Sequence, residues 1–321
     1  MEAVERLAEE AGLEVPKATP EEARRAKRRT TLQDAVEITC RFYEQKLRSP
    51  EGRVAYDYLR GRGLTDDTIK LYRLGYAPNG NVLKSHLSRE SVPEDIAIET
   101  RVLSPGQDER SSFDFFRDRV MFPIFDSRGR PVAFGGRVLT GDGPKYVNSP
   151  ETPLFHKGGI VYGFSQARKV ASDSAEIIVA EGYMDVIALA QAGITNAVAP
   201  LGTALTEQQI ALLWRIAPEP ILCFDGDSAG RKAALRAADR CLPLLEPGRS
   251  LRFALLPSGQ DPDDLIKSDG REAMRRILDE AIPLSEIVWR RLIEGRRFDT
   301  PERRAALEKE AADLAGTIKE N

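Results

Sequence analysis

The sequence predicts an α/β protein built on a parallel sheet with helices on both faces, preceded by a mixed α/β segment and followed by a short helical one. Three features of the 321 residues carry that expectation. From residue 176 to about 270, short apolar runs alternate with helical patterns, as in parallel sheets covered on both faces. At 117–139, two β-prone runs flank the turn "DSRGR" and read as a hairpin. From 271 on the chain is helical and charged, with breaks at Pro283 and near Pro301.

Taken in order, residues 1–14 and 30–48 read as helices, joined by a charged, Pro-containing connector, "PKATPEEARRAKRRT". Residues 49–78 suggest two short helices joined around Gly61 and Gly63, and "SPGQDERSS" at 104–112 is a polar turn or loop. After the hairpin, Gly- and Pro-containing segments reach about residue 160 as irregular β structure. The alternating region follows. Strand "EIIVAEG" leads to helix "MDVIALAQAG", "TNAVAP" to "TEQQIALLWRIA", "PILCFDGD" to "SAGRKAALRAADRCLPLL", and "SLRFALLP" to the turn "GQDPDDLIKSDG" and another helix. No internal repeat stands out.

Composition narrows the class. Charged residues make up 30% and apolar ones 41%, which suits a soluble chain of about two domains. No run of about eighteen apolar residues indicates a membrane helix. The opening "MEAVERLAEEAGLEVP" lacks the basic-then-apolar order of a secretory leader, so a cytoplasmic protein is expected. Cys40, Cys223 and Cys241 lie far apart, no CxxC pair occurs, and the two histidines are His86 and His156. Neither a disulfide framework nor a structural zinc site is expected. Net charge is −3, but residues 113–170 hold nine Lys or Arg against five Asp or Glu, while 176–270 hold eight against thirteen. A basic surface for a polyanion beside an acidic metal pocket is one explanation; patchiness of a solvated surface is the other.

In open α/β sheets, ligands bind beyond the carboxyl ends of the strands. Three such ends carry acids: Glu181 with Asp185 after the first strand, Asp225 and Asp227 after the third, and Asp261, Asp263 and Asp264 after the fourth. Asp225 and Asp227, two residues apart, project to one side of an extended chain. Neighbouring carboxylates repel unless a cation lies between them. Hard oxygen donors without His or Cys suit magnesium or manganese, which keep waters and accept substrate phosphates. Phosphoryl or nucleotidyl transfer is therefore indicated. The structural alternative is that Asp227 caps the helix beginning near Ser228, with Asp225 and Gly226 as turn residues. Asp185 sits in a first helical turn, where an acid is favoured in any case.

These residues also resemble a known family. "EGYMD" at 181–185 followed by "DGDSAG" at 225–230 is similar to the Toprim metal-binding fold of DnaG-type primases, topoisomerases and some nucleases. "RDRVMFPIFDSRGRPVAFGGRV", "KYVNSPET" and "FHKG" strongly resemble the catalytic core of bacterial DnaG primases, in order from about residue 30 to 270. The resemblance implies a Toprim-type sheet over 171–270, a basic N-terminal subdomain over 1–170 and a helical subdomain over 271–321, with the active site between the first two.

It further implies a DNA-dependent RNA polymerase making short RNA primers on single-stranded DNA from ribonucleoside triphosphates. Glu181, Asp225 and Asp227 would hold Mg²⁺ or Mn²⁺, with Glu181 alternatively moving a proton. Asp261 and Asp263 would bind another ion or support the site. Lys145, Tyr146, Asn148 and Lys157 are assigned to the nucleotide, Tyr146 by stacking. Arg117, Arg119 and Arg137 are assigned to the template and the RNA/DNA hybrid. The alternative for Arg117 and Arg119 is ion pairing with Asp114 and Asp118 on a solvated edge. Arg231 and Lys232 suit either phosphate at a helix start or a solvated face. The family's zinc-binding and helicase-docking domains have no counterpart in this sequence, so an excised catalytic core is expected. Replicative helicase and single-strand-binding protein would be partners of the full-length protein. A monomer at the replication fork is expected. Another Toprim enzyme, a non-catalytic DNA-binding module and a phosphatase using Asp225 as nucleophile are the competing classes.

Overall fold

Side chains of the central strands sort by parity onto two cores, and that sorting sets where the acids emerge. The computed structural model describes residues 20–106, 111–140, 143–202 and 204–318. Four parallel strands, β7 (Ile178–Val179), β8 (Ala197–Val198), β9 (Ile221–Phe224) and β10 (Arg252–Leu255), are extended by an antiparallel edge strand, β11 (Ile282–Pro283). Their order is β11-β10-β9-β7-β8. Ile178, Ile221, Cys223 and Ala254 point into one apolar core, while Val179, Leu222, Phe224 and Phe253 point into the other. A strand buried on both faces requires that alternation.

Upstream, a four-stranded antiparallel sheet has the order β1-β4-β5-β6, with β1 Gly75–Ala77, β4 Arg119–Phe125, β5 Pro131–Val138 and β6 Tyr146–Asn148. The predicted hairpin is β4–β5, closed where the Asp126 carboxylate accepts the backbone N–H groups of Arg128 and Arg130. A small ladder, β2 (Leu103–Ser104) with β3 (Phe113–Asp114), flanks it. The first apolar core is continuous from the antiparallel sheet to one face of the parallel sheet, through Phe122, Phe134, Tyr162 and Tyr183. Phe122 and Tyr183 stack at 5.1 Å between centroids, an arrangement worth about 1 kcal/mol beyond area burial.

The helices are α1 Pro20–Leu47, α2 Arg53–Gly61, α3 Asp66–Leu71, α4 Val82–Arg89, α5 Glu94–Glu99, α6 Phe164–Ser174, α7 Tyr183–Gln191, α8 Glu207–Leu213, α9 Ser228–Cys241, α10 Pro262–Asp279, α11 Leu284–Ile293 and α12 Pro301–Ala315. α10 bends at Gly270, whose φ of 80° interrupts it.

Two expectations change. Helix α1 starts at Pro20, so residues 20–29 of the predicted connector are helical; the expected helix over 1–14 lies outside the described residues. Pro is tolerated in a first helical turn, and "EEARRAK" is rich in helix formers. The end of the 49–78 segment, expected as helix, forms strand β1, because Gly75–Ala77 pair antiparallel with β4. The helix break expected at Pro283 is present, and the two residues there form strand β11 because they pair with the edge of β10. Among the described residues, no helix is long and apolar enough to cross a membrane.

Candidate metal and nucleotide cleft

The three acid-bearing strand ends converge. Glu181 follows β7, and its Oε1 accepts the backbone N–H of Asp225 at 2.9 Å. The end of β9 is thereby tied to the end of β7. Asp227 is the N-cap of α9, its Oδ1 accepting from Ala229 and Gly230, both at 2.8 Å. Asp261 caps α10 in the same way, accepting from Asp264 at 2.7 Å. Capping uses one oxygen of each, so the structural reading of Asp227 is correct and still leaves its second oxygen available. Asp185 is buried and accepts the Gly182 N–H at 3.0 Å.

The small residues of "DGDSAG" are demanded by close backbone approach. A Cβ on Gly226 would lie 1.9 Å from the Pro257 carbonyl oxygen, and one on Gly230 would lie 2.1 Å from that of Asp225. The Gly226 N–H donates to the Gln260 carbonyl at 2.9 Å. The loops after β9 and β10 are thus laced together, bringing Asp225 and Asp261 into one electrostatic neighbourhood.

Charge is concentrated there at a cost. Burial, then Glu181, Asp261 and Asp227, push the Asp225 carboxyl up to about 7. Burial, then Asp261 and Asp225, push Asp185 up to about 8. Burial also raises Glu181, with Asp227 adding to the effect. The Oδ1 atom of Asp225 is buried and has no hydrogen-bond partner. An orphaned buried carboxylate oxygen among mutually repelling acids fits a bound divalent cation. Among the described residues, no three His, Cys, Asp or Glu side chains form a ready-made cage. A few hard oxygens with room for water and phosphate ligands is the donor set magnesium favours.

Asp263 stands apart from this set. It is buried, and its Oδ2 accepts from Arg62 at 2.5 Å and Lys267 at 2.7 Å. Its charge is already balanced by these two cations, so a further cation gains little there.

Facing the acids are the cationic and aromatic residues of the antiparallel sheet. The Arg137 guanidinium on β5 lies 4.1 Å from the Tyr58 ring centre. Tyr146 on β6 is partly exposed and stands near Tyr58, Arg137, Arg62 and Asp185, which all act on its phenol. Tyr58 and Arg62 come from α2 and the loop after it; sequence reasoning passed over both. The signal in the sequence is "YLRGRGL", a basic helix end and Gly-containing turn, whose use shows only in the ion pair of Arg62 with Asp263.

Lys145 is exposed and Lys157 half-buried in a single 3₁₀ turn, Lys157–Gly159. Asn148 is committed to protein groups: its Nδ2 donates to the Leu201 carbonyl at 3.1 Å and its Oδ1 accepts from the Tyr183 hydroxyl at 2.5 Å. Arg119 donates to the carbonyls of Gly136 and Pro144. Arg117 donates to the Asp114 carbonyl and lies 4.7 Å from the Phe113 ring centre. The expected alternative of ion pairs to Asp114 and Asp118 is not what forms. The Asp114 carboxylate instead accepts the N–H groups of Leu83 and Lys84, and Asp118 accepts from Tyr76 and Thr140. The Arg231 Nη1 donates weakly to the Gly226 carbonyl at 3.5 Å.

Comparison with known proteins adds the family context. The model of the DNA primase catalytic core, N-terminal domain, matches residues 42–168, and a Toprim domain model matches 175–254. The DNA primase of Pseudomonas aeruginosa is 47% identical, over 100% of this chain and 49% of that protein. That of Escherichia coli K12 is 43% identical, over 99% of this chain and 55% of that protein. The chain thus spans about half the length of the curated relatives it matches. Among solved structures, a DNA primase domain from Pseudomonas aeruginosa superposes with a TM-score of 0.86 at 47% identity, covering 90% of this chain and 91% of that one. A DnaG primase catalytic domain bound to single-stranded DNA gives 0.83 at 41%, covering 91% and 92%.

Proposed function

This chain belongs to the bacterial DnaG-type DNA primase family, and on that footing we propose that it polymerises ribonucleotides into short RNA primers on a single-stranded DNA template. The observation that carries the reading is the buried, unpartnered Asp225 Oδ1 among Glu181, Asp227 and Asp261, with Tyr146, Arg137 and Arg62 grouped near the neighbouring Asp185 and Asp261. A site for divalent cation and one for a polyanion are thereby juxtaposed, as nucleotidyl transfer requires.

In this proposal Glu181, Asp225 and Asp227 hold magnesium or manganese, with Asp261 beside them and Asp263 supporting the site through Arg62. A divalent cation held there would lower the pKa of the primer 3′-hydroxyl and would offset charge on the attacking and leaving oxygens. The hydroxyl oxygen attacks the α-phosphorus of the incoming triphosphate, the bond to the β-phosphate breaks and pyrophosphate leaves, and the hydroxyl proton passes to solvent or, in its alternative role, to Glu181. Lys145 and Lys157 neutralise the triphosphate, and Tyr146 offers a ring for a base to stack on. Asn148, held by Leu201 and Tyr183, shapes the nucleotide's surroundings from a fixed position. Arg117, Arg119 and Arg137 line the path of template and hybrid.

The division into a basic subdomain over 1–170, a Toprim subdomain over 171–270 and a helical one over 271–321 is part of the proposal. So are its action as a monomer in the cytoplasm at the nucleoid, and the partnership of the full-length protein with replicative helicase and single-strand-binding protein.

The test is metal-dependent incorporation of labelled ribonucleotides on single-stranded DNA by the wild type, Asp225→Ala and Lys145→Ala. Short RNA from the wild type, lost in both variants, supports the reading. Cleavage or relaxation of DNA with no RNA made would point to a different Toprim chemistry and end the primase reading.

A further inference from the structure

Helix α8 lies on the far side of the parallel sheet from the hairpin, yet its first turn grips the segment that carries Lys157. Gln209 is completely buried. Its Nε2 donates to the Lys157 carbonyl at 3.0 Å and to the Ile160 carbonyl at 2.8 Å. Its Oε1 accepts the Thr206 N–H at 3.0 Å. The Thr206 hydroxyl donates to the Gly158 carbonyl at 2.6 Å and accepts the Gln209 N–H at 3.1 Å. From the other side, Glu151 Oε1 accepts the Lys157 N–H at 3.0 Å. The peptide groups on both sides of the Lys157 side chain are therefore pinned, and every hydrogen-bonding site of the Gln209 amide apart from one oxygen lone pair is occupied.

Capping of α8 does not account for this. The capping box needs only an acceptor at the third helical position, and Glu serves there as well as Gln. A glutamate cannot donate to two carbonyls. The amide is explained by the turn it holds, and so is its complete burial, since a buried amide must find all its partners.

We propose that Gln209, assisted by Thr206, is a positioning residue for Lys157, fixing the 3₁₀ turn so that the Lys157 ammonium is presented to the triphosphate of the incoming ribonucleotide. This rests on the assignment of Lys157 to the nucleotide made above. It adds α8, a helix of the Toprim region, to the nucleotide site. Loss of the amide frees the turn, so nucleotide affinity falls while the chemical step, which depends on the acids, is retained.

The test is a double-mutant cycle in steady-state RNA synthesis by this chain, with Gln209→Met, Lys157→Ala and both together. Gln209→Met is expected to raise the KM for ribonucleotide about tenfold with kcat changed by less than about threefold, and to add less than about twofold once Lys157 is alanine. An equal rise in KM with and without Lys157, or a lowered melting temperature with KM unchanged, overturns the inference. Unchanged KM in Lys157→Ala alone removes the nucleotide assignment of Lys157, and this inference with it, and is told apart by that single variant. Should Gln209→Met fail to fold, Thr206→Val takes its place in the cycle. It keeps the amide but loses the bond to Gly158, and is expected to raise KM by about threefold with the same dependence on Lys157.

Discussion

Replacing Asp225 by Asn should stabilise the metal-free protein at neutral to alkaline pH while abolishing RNA synthesis. The carboxyl is moved from an ordinary 3.8 to about 7, first by burial and then by Glu181, Asp261 and Asp227. Because the folded value is raised, the unfolded chain releases this proton first as pH increases. The group's contribution to stability is thus fully present below about pH 4, declines through the window up to about pH 7, and is absent above it. The full shift corresponds to at most about 4 kcal/mol. The side chain is only half-buried, so solvent screening reduces the expected effect to about 2 kcal/mol. In a protein of this size that is about 3 °C in melting temperature. The assay is chemical denaturation in excess chelator at about pH 5 and about pH 8, for wild type and Asp225→Asn. The variant should gain on the wild type at the higher pH and much less at the lower one. Magnesium should stabilise the wild type and leave the variant little changed. Equal destabilisation of the variant at both pH values would mean that Asp225 is held by unseen favourable contacts, and the charge argument would fail.

Three further outcomes follow from the geometry. Gly226→Ala places a Cβ 1.9 Å from the Pro257 carbonyl oxygen, so urea denaturation should show a loss of about 2–4 kcal/mol; an unchanged midpoint would show that the loop gives way freely. Asp263→Asn leaves Arg62 and Lys267 without their shared acid, so it should lose about 2–4 kcal/mol of stability with manganese affinity preserved; reduced manganese affinity at unchanged stability would return Asp263 to the ligand set. Arg137→Gln should weaken single-stranded DNA binding and flatten the plot of log affinity against log salt by about 0.7 for one lost phosphate contact; an unaltered slope would confine Arg137 to its packing on Tyr58.

The parts of the molecule legible in the sequence are those with a period. The β4–β5 hairpin and the four parallel strands announced themselves through apolar runs and turn residues, because burial on both faces leaves no choice of side chain. The acids were legible for a related reason: each follows a strand that had to end. Strands β1 and β11 are three and two residues long, too short for any period, and exist only because a neighbouring edge needs a partner. Arg62 and Tyr58 join the cleft by tertiary docking onto Asp263 and under Arg137, which no local pattern encodes. Asn148 illustrates the converse. Its motif drew attention to it as a ligand contact, while its amide bonds Leu201 and Tyr183, a use that depends on two segments far along the chain.

The central claim is that a divalent cation and a ribonucleoside triphosphate share the cleft between the strand-end acids and the basic sheet. Anomalous diffraction from a crystal soaked with manganese and a non-hydrolysable ribonucleoside triphosphate analogue tests it most directly. A manganese peak beside Asp225, Glu181 and Asp227, with the triphosphate reaching toward Lys145 and Lys157, is the expected result. Manganese and nucleotide bound at separate places, or manganese away from Asp225 altogether, would contradict it.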